Sequence, residues 1–170
     1  MTTHPVTGTY TLDPERTTIK CDCKAMMGLF TVHGTFRLDS GHVTIAAEPA
    51  ACAASAAIIA GSFASGNSTR DADVVSTKLL DAKAYPQITF SGSGARARDG
   101  GDGWMLAGSV TAHGVSQPLE VHVTDARAEG GTVRFGATAT LDRLNFGITK
   151  MKQRVGHTVH LTIDAVGVPA

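Results

Sequence analysis

Apolar and polar positions alternate with period two along most of the chain. Ile19, Cys21 and Cys23 alternate with Lys20, Asp22 and Lys24 without exception. On a helix that series would occupy every face, so it predicts a half-buried strand. Residues 30–39 repeat the pattern with larger side chains, Phe30, Val32, Phe36 and Leu38. Further rows are formed by Ile88 and Phe90, by Trp104, Leu106 and Val110, and by Leu119, Val121 and Val123. Val133, Phe135, Ala137, Ala139 and Leu141 make another, and Val159, Leu161, Ile163 and Ala165 close the chain. Turn signals separate the rows at Asp39-Ser-Gly41, Asp99-Gly-Gly-Asp-Gly103, His113-Gly114 and Glu129-Gly-Gly131. Short strands joined in this way predict an all-β antiparallel sandwich or barrel.

Two stretches depart from the pattern. Residues 46–60 are rich in alanine, and propensity alone favours a helix there. Because the neighbouring segments alternate and a barrel needs continuous pairing, residues 52–62 are expected to form a strand. Residues 68–82 are the helical candidate. Ser68-Thr-Arg70-Asp71 fits a capping box, and Tyr85-Pro86 stops any helix before the next strand.

Composition narrows the function. A chain of 170 residues without an evident linker is expected to be one domain, 1–170. Fifteen Lys and Arg balance fifteen Asp and Glu. That balance argues against nucleic acid as a partner and against a polybasic membrane anchor. No apolar run approaches the roughly 18 residues of a membrane span. The first residues, Met1-Thr-Thr-His-Pro, lack a basic and an apolar region, so no secretory signal is visible and a cytoplasmic location is expected. Cys21, Cys23 and Cys52 fit reduced thiols used as small apolar side chains.

Catalytic constellations are thin. The histidines (His4, His33, His42, His113, His122, His157 and His160) are scattered, and on a strand His157 and His160 would point to opposite faces. No nucleophile elbow, dinucleotide fingerprint or phosphate loop occurs. Asp71, Asp73 and Asp81 are candidate acids or bases only if buried; the simpler reading is one cap and two solvated carboxylates. Arg70 beside Asp71, and Asp142 beside Arg143, read as structural ion pairs or caps. No metal or cofactor site is expected. Aromatic residues are only 5% of the chain, and alanines facing a barrel lumen would leave a cavity. The same alanines facing outward against a partner would explain the composition equally. If a cavity exists, Cys21, Val32, Phe36, Ile88, Phe90, Trp104 and Phe135 fall on its side of their strands.

Several segments together resemble the YceI-like, polyisoprenoid-binding family. They are Tyr10-Thr-Leu-Asp13-Pro14, Lys24-Ala-Met-Met-Gly28-Leu-Phe-Thr-Val-His-Gly34-Thr-Phe36, and Ser62-Phe-Ala-Ser-Gly66-Asn67-Ser-Thr-Arg70-Asp71. Tyr85-Pro86-Gln-Ile88-Thr-Phe90, the hairpin Gly108–Ser116 and Leu141-Asp142-Arg143-Leu-Asn-Phe146-Gly147-Ile148 complete the series in the family's order. The resemblance implies an extended lipocalin-like barrel of about eight strands, with a short helical segment near 68–82 and an elongated apolar tunnel. It implies that Met27, Phe30, Val32, Phe36, Leu79, Leu80, Ile88, Phe90 and Phe146 line or close that tunnel. Dimers are common among members, so a homodimer is an expected arrangement. The chain departs from the family at Arg16-Thr17, at Cys21 and Cys23 in place of aromatic residues, and at Leu79-Leu80, which implies a wider tunnel or a bulkier ligand.

Two main functions are compatible with these features. One is a non-catalytic carrier or sequestering protein for an isoprenoid, quinone or acyl-chain molecule, with the helix and Met26-Met27-Gly28 as its gate. The other is an enzyme on the same barrel that cyclises or isomerises a hydrophobic intermediate. A stress-response or structural dimer with an incidental cavity is a third.

Overall fold

The computed structural model describes residues 7–98, 100–152 and 154–170. His4 and Asp99 lie outside the described residues. Nine strands form one antiparallel sheet: β1 Gly8–Leu12, β2 Thr18–Ala25, β3 Phe30–Ile45, β4 Ala53–Ala64, β5 Gln87–Ala97, β6 Trp104–Ala112, β7 Val115–Glu129, β8 Thr132–Asp142 and β9 Val155–Pro169. From β2 to β9 the order is β3-β2-β9-β8-β7-β6-β5-β4, and pairing of β4 back onto β3 closes an eight-stranded barrel. The extra strand, β1, continues the slot that β2 leaves. Its Gly8–Thr11 pairs with His42–Ile45 of β3, and its Tyr10–Leu12 with Gly167–Pro169 of β9. Between β1 and β2, the Asp13 carboxylate accepts from the Glu15 N–H and from Arg16 Nε (2.7 Å), which ties the crossing. Those bonds hold its pKa below the usual carboxylate range.

The period-two rows are the strands, and the alanine-rich stretch 53–64 is β4 rather than a helix. Its residues pair on both sides, Val43↔Ala54 with β3 and Ala54↔Gly92 with β5, so tertiary pairing overrides helix propensity.

The turn expected at Asp39-Ser-Gly41 is absent, because β3 runs straight through it for 16 residues. A register shift between Leu38 and Ser40 marks a bulge there. A Cβ on Gly41 would lie 2.7 Å from Leu12 Cδ1 and 3.1 Å from the Ser55 carbonyl oxygen. The glycine therefore serves a close approach of strands instead of a chain reversal. His113-Gly114 and Gly130-Gly131 are true tight turns, with all four residues at positive φ, as hairpins require.

The helix is shorter than 68–82. Helix α1 spans Ser68–Val75. Its cap is Asn67, whose side chain accepts from the Arg70 N–H at 3.0 Å, in place of the capping box expected at Ser68. The Asp71 carboxylate turns back to the Ser65 N–H and hydroxyl (2.6 Å to Oγ), fastening the joint between β4 and α1. Ser76 ends the helix: its hydroxyl donates to the Asp73 carbonyl (2.7 Å) and thereby competes with the helical ladder. Beyond it the chain folds back in turns through Leu79 and Leu80.

Strand direction gives the barrel two ends. The helix end carries α1, the β2–β3 tip, the β6–β7 turn and residues 143–152 and 154. The far end carries residues 46–52, the β5–β6 connection and the β7–β8 turn. Leu106, Val110, Leu119, Val121 and Ala139 pack with Leu79, Phe146 and Ile148 in one buried cluster. Leu12, Ile19, Leu38 and Ala165 form a second.

Candidate functional site: an apolar tunnel

The two buried clusters do not fill the barrel. Between them runs a cavity of about 1270 Å³ whose wall includes residues from both ends. That exceeds the roughly 300–1,000 Å³ of pockets that hold drug-sized ligands. Alanines supply much of the room. Ala54 and Ala56 of β4 and Ala137 and Ala139 of β8 all line it, where larger side chains would meet across the lumen.

Of the twelve residues singled out in the sequence, ten stand on the cavity wall: Cys21, Val32, Phe36, Leu79, Leu80, Ile88, Phe90, Trp104, Phe135 and Phe146. Met27 and Phe30 do not. Met26 and Met27 take left-handed conformations (φ 52° and 58°) before Gly28, and the turn carries Met27 outward until it is 90% exposed. Phe30 shares the strand parity of Val32, yet β4 reaches only Thr35 of β3. Phe30 therefore lies beyond the barrel rim and is 63% exposed. Of Met26-Met27-Gly28, where a gate was expected, Met26 lines the cavity and the other two do not. Phe63, Val74, Met151, Arg70 and Arg154 also line it and were not anticipated. Phe63 packs on Phe36 with ring centroids 5.3 Å apart. It is out of step with the wall row Ala54, Ala56 and Ile58, and a register shift between Arg37 and Thr35 of β3 brings it to the cavity, so period-two spacing did not mark it. Met151 and Arg154 lie in an aperiodic segment, where spacing says nothing.

Charge is confined to the two ends of the cavity. Arg70, Asp73, Arg143 and Arg154 lie at the helix end, Asp102 and Asp125 at the far end. Asp73 is held by Lys78 at 3.5 Å, and Asp125 by Arg127 at 3.5 Å. Arg70 makes no ion pair among the described residues, so of the ion pair or cap expected at Arg70-Asp71 the ion pair is not formed, and its half-buried side chain lines the helix-end mouth.

Arg143 is structural, as its neighbour Asp142 suggested. The side chain is buried and donates to four backbone carbonyls: Gly156 (2.9 Å), Ile148 (2.7 Å), Lys150 (3.0 Å) and Val155 (2.8 Å). It thus ties together the backbone around Ile148, Lys150 and Val155, and Ile148, Met151, Arg154 and Val155 line this end of the cavity. Burial pulls its pKa down, with Cys23 and Asp142 opposing. Asp142 caps the following 3-10 turn through the Leu144 N–H at 2.9 Å and meets His157 at 3.2 Å. Tyr85 and His113 pack as tilted rings with centroids 5.0 Å apart, and His113 Nδ1 lies 3.1 Å from the Phe146 carbonyl oxygen. Segments distant in the chain thereby meet to build the helix end.

The cysteines are free thiols. Burial, then the charges of Asp22 and Cys23, push the Cys21 thiol up to about 12, and burial also raises Cys23. Neither is a thiolate near neutral pH, so both act as small apolar wall residues and weak nucleophiles. Among the described residues no group of three His, Cys, Asp or Glu side chains has a metal-binding arrangement. His157 and His160 turn to different partners, Asp142 and Thr140.

A closed antiparallel barrel with an elongated apolar interior defines a lipocalin-like protein. Residues 10–167 match the YceI-like domain, and the chain belongs to that family. No curated protein matches it in sequence. Its fold is similar to that of BcnA from Burkholderia cenocepacia, with a TM-score of 0.80 at 24% identity over 91% of this chain and 98% of that one. A polyisoprenoid binding domain from Saccharophagus degradans, implicated in plant cell wall breakdown, aligns with a TM-score of 0.64 at 12% identity, covering 95% and 98% of the two chains. The YCEI protein of Campylobacter jejuni gives 0.64 at 20% identity over 84% and 88%.

Proposed function

We propose that this protein binds one long apolar molecule, of isoprenoid, quinone or acyl-chain type, along its barrel axis and carries or sequesters it. The observation that carries this reading is the cavity itself: about 1270 Å³, with an apolar wall along its length and charged side chains only at its ends. A hydrocarbon tail gains about 0.8 kcal/mol for each CH₂ taken from water, so such a wall selects for tail length with little polar recognition. A polar head belongs at the helix-end mouth, where Arg70 and Arg154 offer cationic donors. Membership of the YceI-like family supports the reading, as does the fold shared with a polyisoprenoid binding domain. The free thiols suit a reducing compartment, and we assign the activity to the cytoplasm on that ground.

Trp104, the chain's one tryptophan, stands on the cavity wall and reports occupancy without a label. Titration with prenyl alcohols of increasing length should shift its emission to the blue, saturating at one ligand per chain, with affinity rising with length. Emission that does not saturate, or affinity independent of length, would refute tail burial.

A further inference from the structure

Large apolar side chains are exposed at one place above all. Met26 (51%), Met27 (90%), Leu29 (79%) and Phe30 (63%) sit together on the β2–β3 tip. The tip extends past the barrel rim, because β4 pairs with β3 only as far as Thr35. Four large apolar groups at the end of a projecting hairpin are unusual on a surface that meets only water.

The charge around the tip says what covers it. Lys24 flanks it on β2, and Lys150, Lys152 and Arg154 lie in the segment that abuts it, where the Met26 N–H donates to the Arg154 carbonyl at 2.9 Å. All four basic side chains are exposed, and none pairs with a carboxylate among the described residues. A chain with no net charge thus concentrates unpaired positive charge around its apolar tip. A second copy docked by two-fold symmetry would set these cations against their own equivalents. A surface of anionic lipid offers both of what the tip needs, hydrocarbon for the side chains and negative headgroups for the rim.

We infer that the β2–β3 tip docks on an anionic lipid surface, seating its apolar side chains at the headgroup–acyl boundary. Met26 belongs to both the tip and the cavity wall, so docking brings the helix-end mouth against the bilayer. A tail then passes between membrane and tunnel without crossing water.

The test is co-sedimentation of the full chain with phosphatidylcholine vesicles, with and without phosphatidylglycerol. Binding is expected only where phosphatidylglycerol is present, and should weaken as salt is raised. Met27→Ser with Leu29→Ser should reduce partitioning by about tenfold or more, because two apolar groups leave the interface. Lys150→Gln with Lys152→Gln should reduce it about 25-fold, at roughly fivefold per basic group near the surface. These positions are exposed, so both variants should keep the wild-type circular dichroism and the Trp104 response to prenyl alcohols. Vesicle binding is thereby read separately from tail binding. No binding to anionic vesicles, or equal binding by both variants, would overturn the inference. A wild-type dimer in sedimentation velocity that the Met27/Leu29 variant converts to a monomer would also overturn it, assigning the tip to a second copy.

Discussion

Replacing Arg143 with methionine should destabilise the barrel by about 3 kcal/mol, from two opposing contributions. The guanidinium donates to four backbone carbonyls at 2.7–3.0 Å, with no carboxylate among those contacts. A hydrogen bond to a charged group contributes about 1.5–3 kcal/mol net, so four at the lower end give roughly 6 kcal/mol. Removing a buried charge returns part of its desolvation penalty, of the order of several kcal/mol. Methionine keeps much of the volume, so little of the loss is cavity. Lysine should recover only part, since an ammonium has three donors and cannot span four carbonyls as a planar fork does. The assay is equilibrium urea unfolding followed by circular dichroism. For a slope near 2 kcal/mol per molar, the midpoint should fall by about 1.5 M, with the lysine variant in between. The argument fails if methionine shifts the midpoint by less than about 0.5 M, or if lysine matches the wild type.

Three further outcomes follow from the same geometry. Cys21→Phe places a ring in the cavity where the thiol now stands, so it should weaken binding of bulky apolar ligands while circular dichroism stays native; unchanged affinity would remove Cys21 from the binding wall. The Cys21 pKa is raised from 9.0 to about 12 in the folded state, so its stabilising effect is complete below pH 9 and is lost as pH climbs toward 12. Cys21→Val should remove that share of the alkaline decline in the urea midpoint, and identical pH profiles would contradict it. Gly34→Ala builds a Cβ into Phe63 Cε1, so the Phe63–Phe36 pair must move, at a loss of about 1–3 kcal/mol by thermal unfolding.

Much of the barrel was legible because a strand with one face in a lumen must alternate, and it does so at Ile19-Cys21-Cys23 as at Val133–Leu141. The same alternation put Phe36, Ile88, Phe90, Trp104 and Phe135 on the wall. It misled at Phe30, where parity is right but the strand has already left the barrel. Gly41 was misread because a glycine that admits a close neighbour has the same letter as one that turns the chain. The helix was overextended because Leu79 and Leu80 carry an apolar signal that packing satisfies without a helix. Met151 and Arg154 were missed because their loop carries no period; Arg70, on α1, was read only against its neighbour Asp71, and the fold brings all three to one mouth. Arg143 could be read as structural but not as a fourfold carbonyl clamp, since its partners span residues 148–156.

The central claim, that the tunnel holds one long apolar molecule, is tested most directly by native mass spectrometry of the purified protein, followed by organic extraction. The account predicts a species heavier than the chain by one prenyl, quinone or acyl compound, recovered in the extract at near one per chain. It predicts that Cys21→Phe, with native circular dichroism, retains less of it. A protein that carries only its own mass, and still does so after incubation with long-chain prenyl and acyl compounds, would contradict it.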